Sequence, residues 1–337
     1  MSATAETLAA GRAGGLRYPD FFIVGHAKCG TTALYEMLRT HPQIFMPDVK
    51  EPQFFARNPR QFSGGERELP PLERTGRREE TLQQYLSLFA PARPDQRVGE
   101  ASTFYLWSRI APGRIAQARP DARIVAILRE PASFLRSLHL QMVQNEVETE
   151  KDLRKALALE EARRQGRRLP GKAHWPEALM YAQRVRYVEQ LRRYHETFGH
   201  EQVLVLIYDD FRDDNEATVR RVLRFLGVDE RLPLQRSEAN PTVSVRSVRL
   251  AAAVRELRVG EGPLARAARG ALRATTSRAV RGRLLYPLRR ALLYGAPAPP
   301  DERLMAELRS RFKAEVVGLS EYLGRDLVSL WGYGDVR

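Results

Sequence analysis

Residues 21–42 read FFIVGHAKCGTTALYEMLRTHP. An apolar run of strand length passes through a glycine-bearing turn into a segment with Leu34, Met37 and Leu38 at helical spacing. A strand that enters a helix this way aims unpaired backbone N–H groups and the positive end of the helix dipole at one point. The donors here are the backbones of Cys29, Gly30, Thr31 and Thr32, the two threonine hydroxyls and the ammonium of Lys28. The stretch predicts an anion cradle on an α/β scaffold, with a helix starting near Thr31 and stopping before Pro42. An ATP-binding loop carries its lysine directly before the Ser or Thr, as G-x-x-x-x-G-K-[ST]. In GHAKCGTT the lysine stands two places before the glycine, so the anion is of another kind.

The chain beyond repeats the alternation of strand and helix. A helix over Thr81–Phe89 leads to a strand at Arg97–Gly99. RIVAIL, Arg123–Leu128, is a buried strand broken by Arg129-Glu130-Pro131, and a helix follows from about Ala132 to Val147. Pro131 suits a first helical turn, where its missing N–H costs nothing. Residues 150–165 read as one charged helix and Glu177–Phe198 as another. QVLVLIY, Gln202–Tyr208, is a further buried strand, and the next helix starts at a cap near Asp214 or Asn215. Tyr208-Asp209-Asp210 reads as a strand-end turn, and Glu302–Leu323 as a helix docked on the core. The pattern predicts an α/β fold: a P-loop-like three-layer domain, its central parallel sheet flanked by helices. One domain is expected over 17–337 after a disordered tail of residues 1–16, with 255–300 as a basic helical insertion or lid and 301–330 as the C-terminal docking helix. Residues 57–80, rich in Arg, Glu, Pro and Gly, read as a surface loop.

Composition narrows the partner without naming it. The 337 residues carry a formal charge of +14, which points to a polyanionic ligand: a nucleotide, an acidic glycan, a membrane surface or nucleic acid. Only six of the 55 basic residues are lysines, and two of those, Lys28 and Lys50, flank the helix of the opening segment. Cys29 is the single cysteine, which excludes an intrachain disulfide and favours a reducing compartment. MSATAETLAAGRAGG lacks a signal pattern and no apolar run nears about 20 residues, so a cytoplasmic protein is expected. Residues 255–290 hold ten arginines against two glutamates. That stretch has three readings: a solvated helical face, a wall for an acidic acceptor, or a peripheral membrane contact.

K-x-G-T-T after a strand resembles the 5′-phosphosulfate loop of sulfotransferases that use 3′-phosphoadenosine 5′-phosphosulfate (PAPS). Four further stretches agree. THPQI and KEPQFF resemble the glycan branch of that family, which includes heparan sulfate sulfotransferases. VGEASTFYL resembles the lining of the acceptor and cofactor cleft. ILREPASFLRSLHLQ resembles the arginine–serine element for the 3′-phosphate, and QVLVLIYDDFRDDNEATVRRVLRFLGV the late strand–helix. The resemblance runs from about Tyr18 to Pro241.

The resemblance implies transfer of a sulfuryl group from PAPS to a hydroxyl, less readily an amine, of a glycan, glycolipid or secondary metabolite, leaving 3′,5′-adenosine bisphosphate. Lys28 would steady the leaving oxygen and Glu51 would act as general base, the other reading being that Lys50 beside it ties the carboxylate up as an ion pair, with His26 in reserve as the base. Lys28, Cys29, Gly30, Thr31, Thr32, Arg129, Ser137 and Arg246 would hold the cofactor. Lys50, Glu100, Ser102 and Tyr105 would approach the acceptor, a packing role for the last three standing equally open. The family's second 3′-phosphate arginine is replaced by Phe134, with Arg136 nearby as a substitute. Cys29 near a helix N-terminus is expected to have a depressed pKa, and no metal or nucleic acid is expected. Two other readings stand: a P-loop nucleotide kinase or phosphotransferase, and a noncatalytic binder of polyanions.

Overall fold

The computed structural model describes residues 12–13, 16–56, 81–170, 176–232, 244–245, 294–295 and 299–336. Arg246, the loop read over 57–80 and residues 255–293 lie outside the described residues. The chain divides into two compact units, one of 1–134, 181–240 and 306–337, the other of 135–180 and 241–305.

The first unit is built on five parallel strands: β1 (Phe21–Ile23), β2 (Ile44–Phe45), β3 (Arg97–Ala101), β4 (Arg123–Leu128) and β5 (Val203–Ile207). Their order is β2-β3-β1-β4-β5. Every residue of β1 is buried, and β4 is buried from Ile124 to Leu128, as a strand covered on both faces requires. This is the parallel sheet flanked by helices, of three-layer P-loop-like type, that the alternation predicts. Because β1 pairs β3 on one side and β4 on the other, the turn leaving β1 sits where the chain order reverses. Open α/β sheets form their ligand crevice there, outside the strand C-termini.

Helix α1 (Thr31–Arg39) follows β1 and buries Leu34, Tyr35, Met37 and Leu38. Each such side chain contributes about 1.5–3 kcal/mol. Helix α2 (Leu82–Ser87) has a capping box in which Thr81 and Gln84 exchange bonds, and α3 is Ala111–Ala118. Helix α4 (Pro131–Gln144) leaves β4 as expected, and β3 runs two residues longer than its apolar core suggests.

The helix expected over Glu177–Phe198 is broken. A 3-10 turn at Pro176–Leu179 is followed by α7 (Tyr181–Arg184) and α8 (Tyr187–Phe198). A buried side chain stabilises the break: Gln190 Nε2 donates to the carbonyls of Gln183 at 3.0 Å and Arg184 at 3.3 Å. Tyr208-Asp209-Asp210 is not a turn but the start of α9 (Tyr208–Asp213). Helix α10 (Asn215–Leu226) follows, capped by Asp214, which accepts from Ala217 N. Residues 12–13 pair antiparallel with 16–17, where the expected tail of residues 1–16 meets the domain.

Helix α11 (Glu302–Leu323) buries Leu308, Phe312, Val316 and Leu319, and α12 (Leu327–Leu330) follows. Side-chain bonds to earlier elements fasten the segment after α11. Arg325 binds Asp210 bidentately at 2.5 and 2.6 Å, Trp331 Nε1 donates to Asp209 at 2.8 Å, and Tyr333 OH donates to Glu130 at 2.5 Å.

In the second unit the charged helix expected over 150–165 is two short helices meeting at Leu159, α5 (Leu153–Ala158) and α6 (Glu160–Arg164). Asp152 caps α5 by accepting from Arg154 N and Lys155 N. Arg163 and Glu148 form a fully buried bidentate pair, both contacts 2.7 Å. Glu148 Oε1 also accepts from Thr149 N and Glu150 N, so the buried carboxylate is well satisfied. Residues 244–245 pair antiparallel with 294–295.

Candidate active site

The loop from Gly25 to Gly30 joins β1 to α1. A Cβ on Gly25 would fall 2.5 Å from Ile127 Cγ2 and 2.6 Å from Ile127 O, so only glycine lets the loop pass so close to β4. Gly30 caps α1 at φ +90, and no side-chain cap hydrogen bond closes the helix N-terminus among the described residues. The first N–H groups of α1 are thus left for a ligand or solvent.

Lys28 adopts φ +70, a left-handed conformation that costs a lysine about 1–2 kcal/mol. Glu51 and Gln53 share that conformation, at φ +60 and +54. Three of the five described non-glycine residues with positive φ therefore lie in the two candidate segments. Such conformations persist only where the surrounding structure holds them.

Arg129, at the end of β4, reaches across to the loop. Its Nη1 donates to the Lys28 carbonyl at 2.9 Å, and its Nε donates to Ser133 Oγ at 3.3 Å. Its guanidinium lies 4.8 Å from the centre of the Tyr208 ring, a cation–π contact. Tyr187 OH donates to the Arg129 carbonyl at 2.9 Å. Glu130 caps α4 by accepting from Ala132 N and Ser133 N, and Tyr333 holds the same carboxylate. Burial lowers the Lys28 pKa, the Arg129 charge lowers it further, and Cys29 partly opposes. Among the described residues neither Lys28 nor Arg129 is paired with an acid.

Thr31 is buried; Thr32 Oγ1 accepts from Lys50 Nζ at 2.8 Å, and the same ammonium lies 3.4 Å from Glu51 Oε1. Lys50 therefore bridges α1 to Glu51, whose carboxylate is about one-third exposed at 34%. Cys29 corrects an expectation. It is wholly buried, and burial pushes its thiol up to about 12, against the depression that a helix N-terminus alone would give.

Glu100, Ser102 and Tyr105 form a buried network behind that segment. Glu100 accepts from Tyr85 OH at 2.6 Å, Ser102 Oγ at 2.5 Å and Tyr105 OH at 3.0 Å. The network reaches the 51–55 backbone. Gln53 N donates to Ser102 Oγ, Phe55 N donates to Tyr105 OH, and Glu51 N donates to the Ala101 carbonyl. These contacts are of the packing kind, and they hold Glu51 in its strained conformation.

Ser137 is buried on α4, four residues past Ser133. Phe134 is also buried and stacks on His26 at 5.2 Å. His26 Nε2 lies 2.8 Å from Gln190 Oε1, and burial, then the Arg184 charge, push the imidazole down to about 3. A neutral ring pinned this way is poorly suited to take a substrate proton. Sequence reasoning missed Ser133, Tyr187, Tyr208 and Tyr333. Only Ser133 left a local sign, as the residue whose N–H the Glu130 cap receives.

The family model described as Sulfotransferase family matches residues 19–231. Carbohydrate sulfotransferase 15 of Mus musculus is 26% identical, the match covering 62% of this chain and 44% of that protein. Heparan sulfate glucosamine 3-O-sulfotransferase 6 of Homo sapiens is 32% identical over 35% of this chain and 28% of its own length. The chain thus spans less than half the length of these curated relatives. The crystal structure of a sulfotransferase from Alicyclobacillus acidocaldarius superposes with a TM-score of 0.64 at 28% identity, covering 94% of this chain and 99% of that one. The strand–loop–helix built around Lys28 and the β4 end carrying Arg129 both fall within the matched span, and the chain belongs to the sulfotransferase family.

Proposed function

We propose that this protein transfers a sulfuryl group from PAPS to a hydroxyl of a saccharide or related acceptor. The observation that carries the reading is the bond from Arg129 to the Lys28 carbonyl, which sets two cations, neither paired with an acid among the described residues, beside one helix N-terminus that its glycine cap leaves open. A nucleotide with phosphate at both ends of its ribose matches two such cations. The close approach of Gly25 to β4 and the free N–H groups of α1 fit the 5′ end. The Arg129 fork and the Ser133 hydroxyl fit the 3′-phosphate. Bound PAPS supplies the sulfuryl group and leaves as 3′,5′-adenosine bisphosphate.

The chain's own groups do the rest. Lys28 presents a fixed cation where charge grows on the leaving oxygen, an interaction stronger in the transition state than in the ground state. Glu51 takes the acceptor proton at its carboxylate. Lys50 orients that carboxylate from Thr32, and the Glu100 network fixes the backbone that carries it. Relatives named for carbohydrate and heparan sulfate substrates favour a saccharide acceptor. Asp209 and Asp210, the acids best placed to serve a kinase-type metal site, are engaged by Trp331 and Arg325.

Calorimetric titration with 3′,5′-adenosine bisphosphate, adenosine 5′-monophosphate and ATP tests the reading. Tight binding of the bisphosphate alone is expected. A preference for ATP would overturn it in favour of phosphotransfer.

A further inference from the structure

Arg184 is buried to 4% exposure at the end of α7. Its guanidinium lies 3.8 Å from the centre of the Trp107 ring and 5.2 Å from that of Phe104. Among the described residues, neither Nε nor Nη2 has a hydrogen-bond partner, and no carboxylate pairs with the group. The two orphaned atoms are not arbitrary. Nε–H and Nη2–H form the side edge of the guanidinium, the fork that receives a carboxylate or sulfate in two parallel hydrogen bonds.

Other arginines here are treated differently. Arg163, equally buried, has Glu148 on both Nη nitrogens and the Arg168 carbonyl near Nε. Arg193, which donates to the Trp107 carbonyl, is paired with Glu189 at 3.0 Å. An unpaired buried charge is strongly destabilising. Burial pushes the Arg184 pKa down to about 9, the Tyr181 phenol opposing that shift. Phe104 and Trp107 lie three and six residues past the end of β3 at Ala101, in the stretch whose Ser102 accepts from Gln53 N of the Glu51 segment. The same cation helps keep His26 of the loop neutral.

We propose that the Nε/Nη2 edge of Arg184, backed by Trp107 and Phe104, receives an oxyanion of the acceptor, a carboxylate or sulfate group on the sugar. Arg184 is then a specificity-determining residue that selects acidic over neutral saccharides. This rests on the sulfuryl-transfer reading above.

The test compares a glucuronate-containing disaccharide with the same disaccharide bearing glucose, each titrated into protein saturated with 3′,5′-adenosine bisphosphate. Wild type is expected to prefer the charged sugar by about tenfold or more. Arg184→Met and Arg184→Lys, the second keeping the charge but losing the fork, should erase that preference while binding the bisphosphate normally. That binding also reports that each variant is folded. Retention of the preference in Arg184→Lys overturns the proposal, as does a wild type that binds both sugars equally. Loss of bisphosphate affinity in a folded variant would assign the anion to the nucleotide instead. A third arm adds sodium sulfate alone at matched ionic strength; full displacement of the disaccharide's advantage by Arg184-dependent sulfate binding supports the oxyanion fork. Sulfate binding with no disaccharide preference overturns the acceptor assignment. Should neither variant fold, the wild-type comparison decides alone. If wild type ignores the bisphosphate, the donor reading fails, and the sugar comparison without nucleotide still scores Arg184.

Discussion

Arg129 Nη1 donates to the carbonyl of Lys28 at 2.9 Å, joining two residues 101 positions apart in the chain. The bond fixes the end of β4 to a loop whose lysine already sits in a strained left-handed conformation. It makes the two cations one unit, so changing either should disturb nucleotide binding in its own way. Arg129→Lys keeps a charge and loses the fork held by the Lys28 carbonyl and Ser133. It should weaken binding of 3′,5′-adenosine bisphosphate by about 10–100-fold and leave adenosine 5′-monophosphate nearly unaffected. Calorimetry with the two nucleotides reads the difference directly; an equal loss for both would move the 3′-phosphate elsewhere.

Lys28→Ala is expected to cut turnover by about 10²–10³-fold. Its effect on bisphosphate affinity should be smaller, because the helix N–H groups remain. The side chain makes no ion pair among the described residues, so the fold should not depend on it. Single-turnover assays with saturating PAPS separate the two effects. A variant whose turnover is near normal ends the leaving-group role.

Glu51 and Glu100 offer a paired contrast. Glu51 is one-third exposed and touches only Lys50 through its side chain in the described contacts. Glu51→Gln should bind the bisphosphate normally and lose about 10²–10⁴ of the transfer rate. Glu100 is wholly buried with three hydroxyl donors. Glu100→Gln replaces one acceptor oxygen by a donor amide facing those hydroxyls. It should destabilise the fold by about 1–3 kcal/mol in urea unfolding, the cost of an unsatisfied buried polar group. Reversal of the pattern, with stability lost at Glu51 and rate lost at a folded Glu100→Gln, would exchange their roles.

Much of this arrangement is legible in one dimension because it is local. GHAKCGTT, RIVAIL and QVLVLIY announce a loop and two buried strands through apolar runs and a lysine–glycine–threonine spacing. What the sequence hides depends on contacts between distant segments. Ser133 and Ser137 are both hydroxyls on one helix, and only the folded position of Arg129 shows which it meets. Tyr333 reaches Glu130 across 203 positions, a separation at which no periodicity speaks. The break between α7 and α8 escapes a period-based reading because a polar residue, Gln190, stabilises it from inside the core. Cys29 misleads for a related reason. Its place at a helix N-terminus is visible in the sequence, but its complete burial is not.

Tyr333 is a positioning residue by this geometry. Its hydroxyl fastens the C-terminal segment to the Glu130 carboxylate, next to Arg129. Tyr333→Phe removes one hydrogen bond to a charged group and should cost about 1.5–3 kcal/mol of stability. Because Glu130 keeps its two backbone donors, bisphosphate affinity should fall only a few-fold with turnover at saturation unchanged. Urea unfolding and nucleotide titration on the same preparation check both halves; unchanged stability would show the latch to be idle.

His26 makes stability depend on pH in a direction the structure fixes. Burial and the nearby Arg184 charge hold its folded pKa near about 3, below the unfolded value of 6.5. The unfolded chain therefore binds a proton that the folded one refuses between those limits. His26 contributes its full share of stability above pH 6.5 and loses it as pH falls, by about 1.4 kcal/mol per unit until the folded pKa is reached. Replacing the ring by an uncharged side chain, as in His26→Gln, should flatten the fall in urea midpoint between about pH 6.5 and pH 4 by that slope. The two slopes must be compared rather than either read alone. Burial also lowers the pKa of His139 and His195, and those residues titrate in both proteins. Identical slopes would mean that His26 is protonated in the native state, and that the ring beside the loop carries a charge after all.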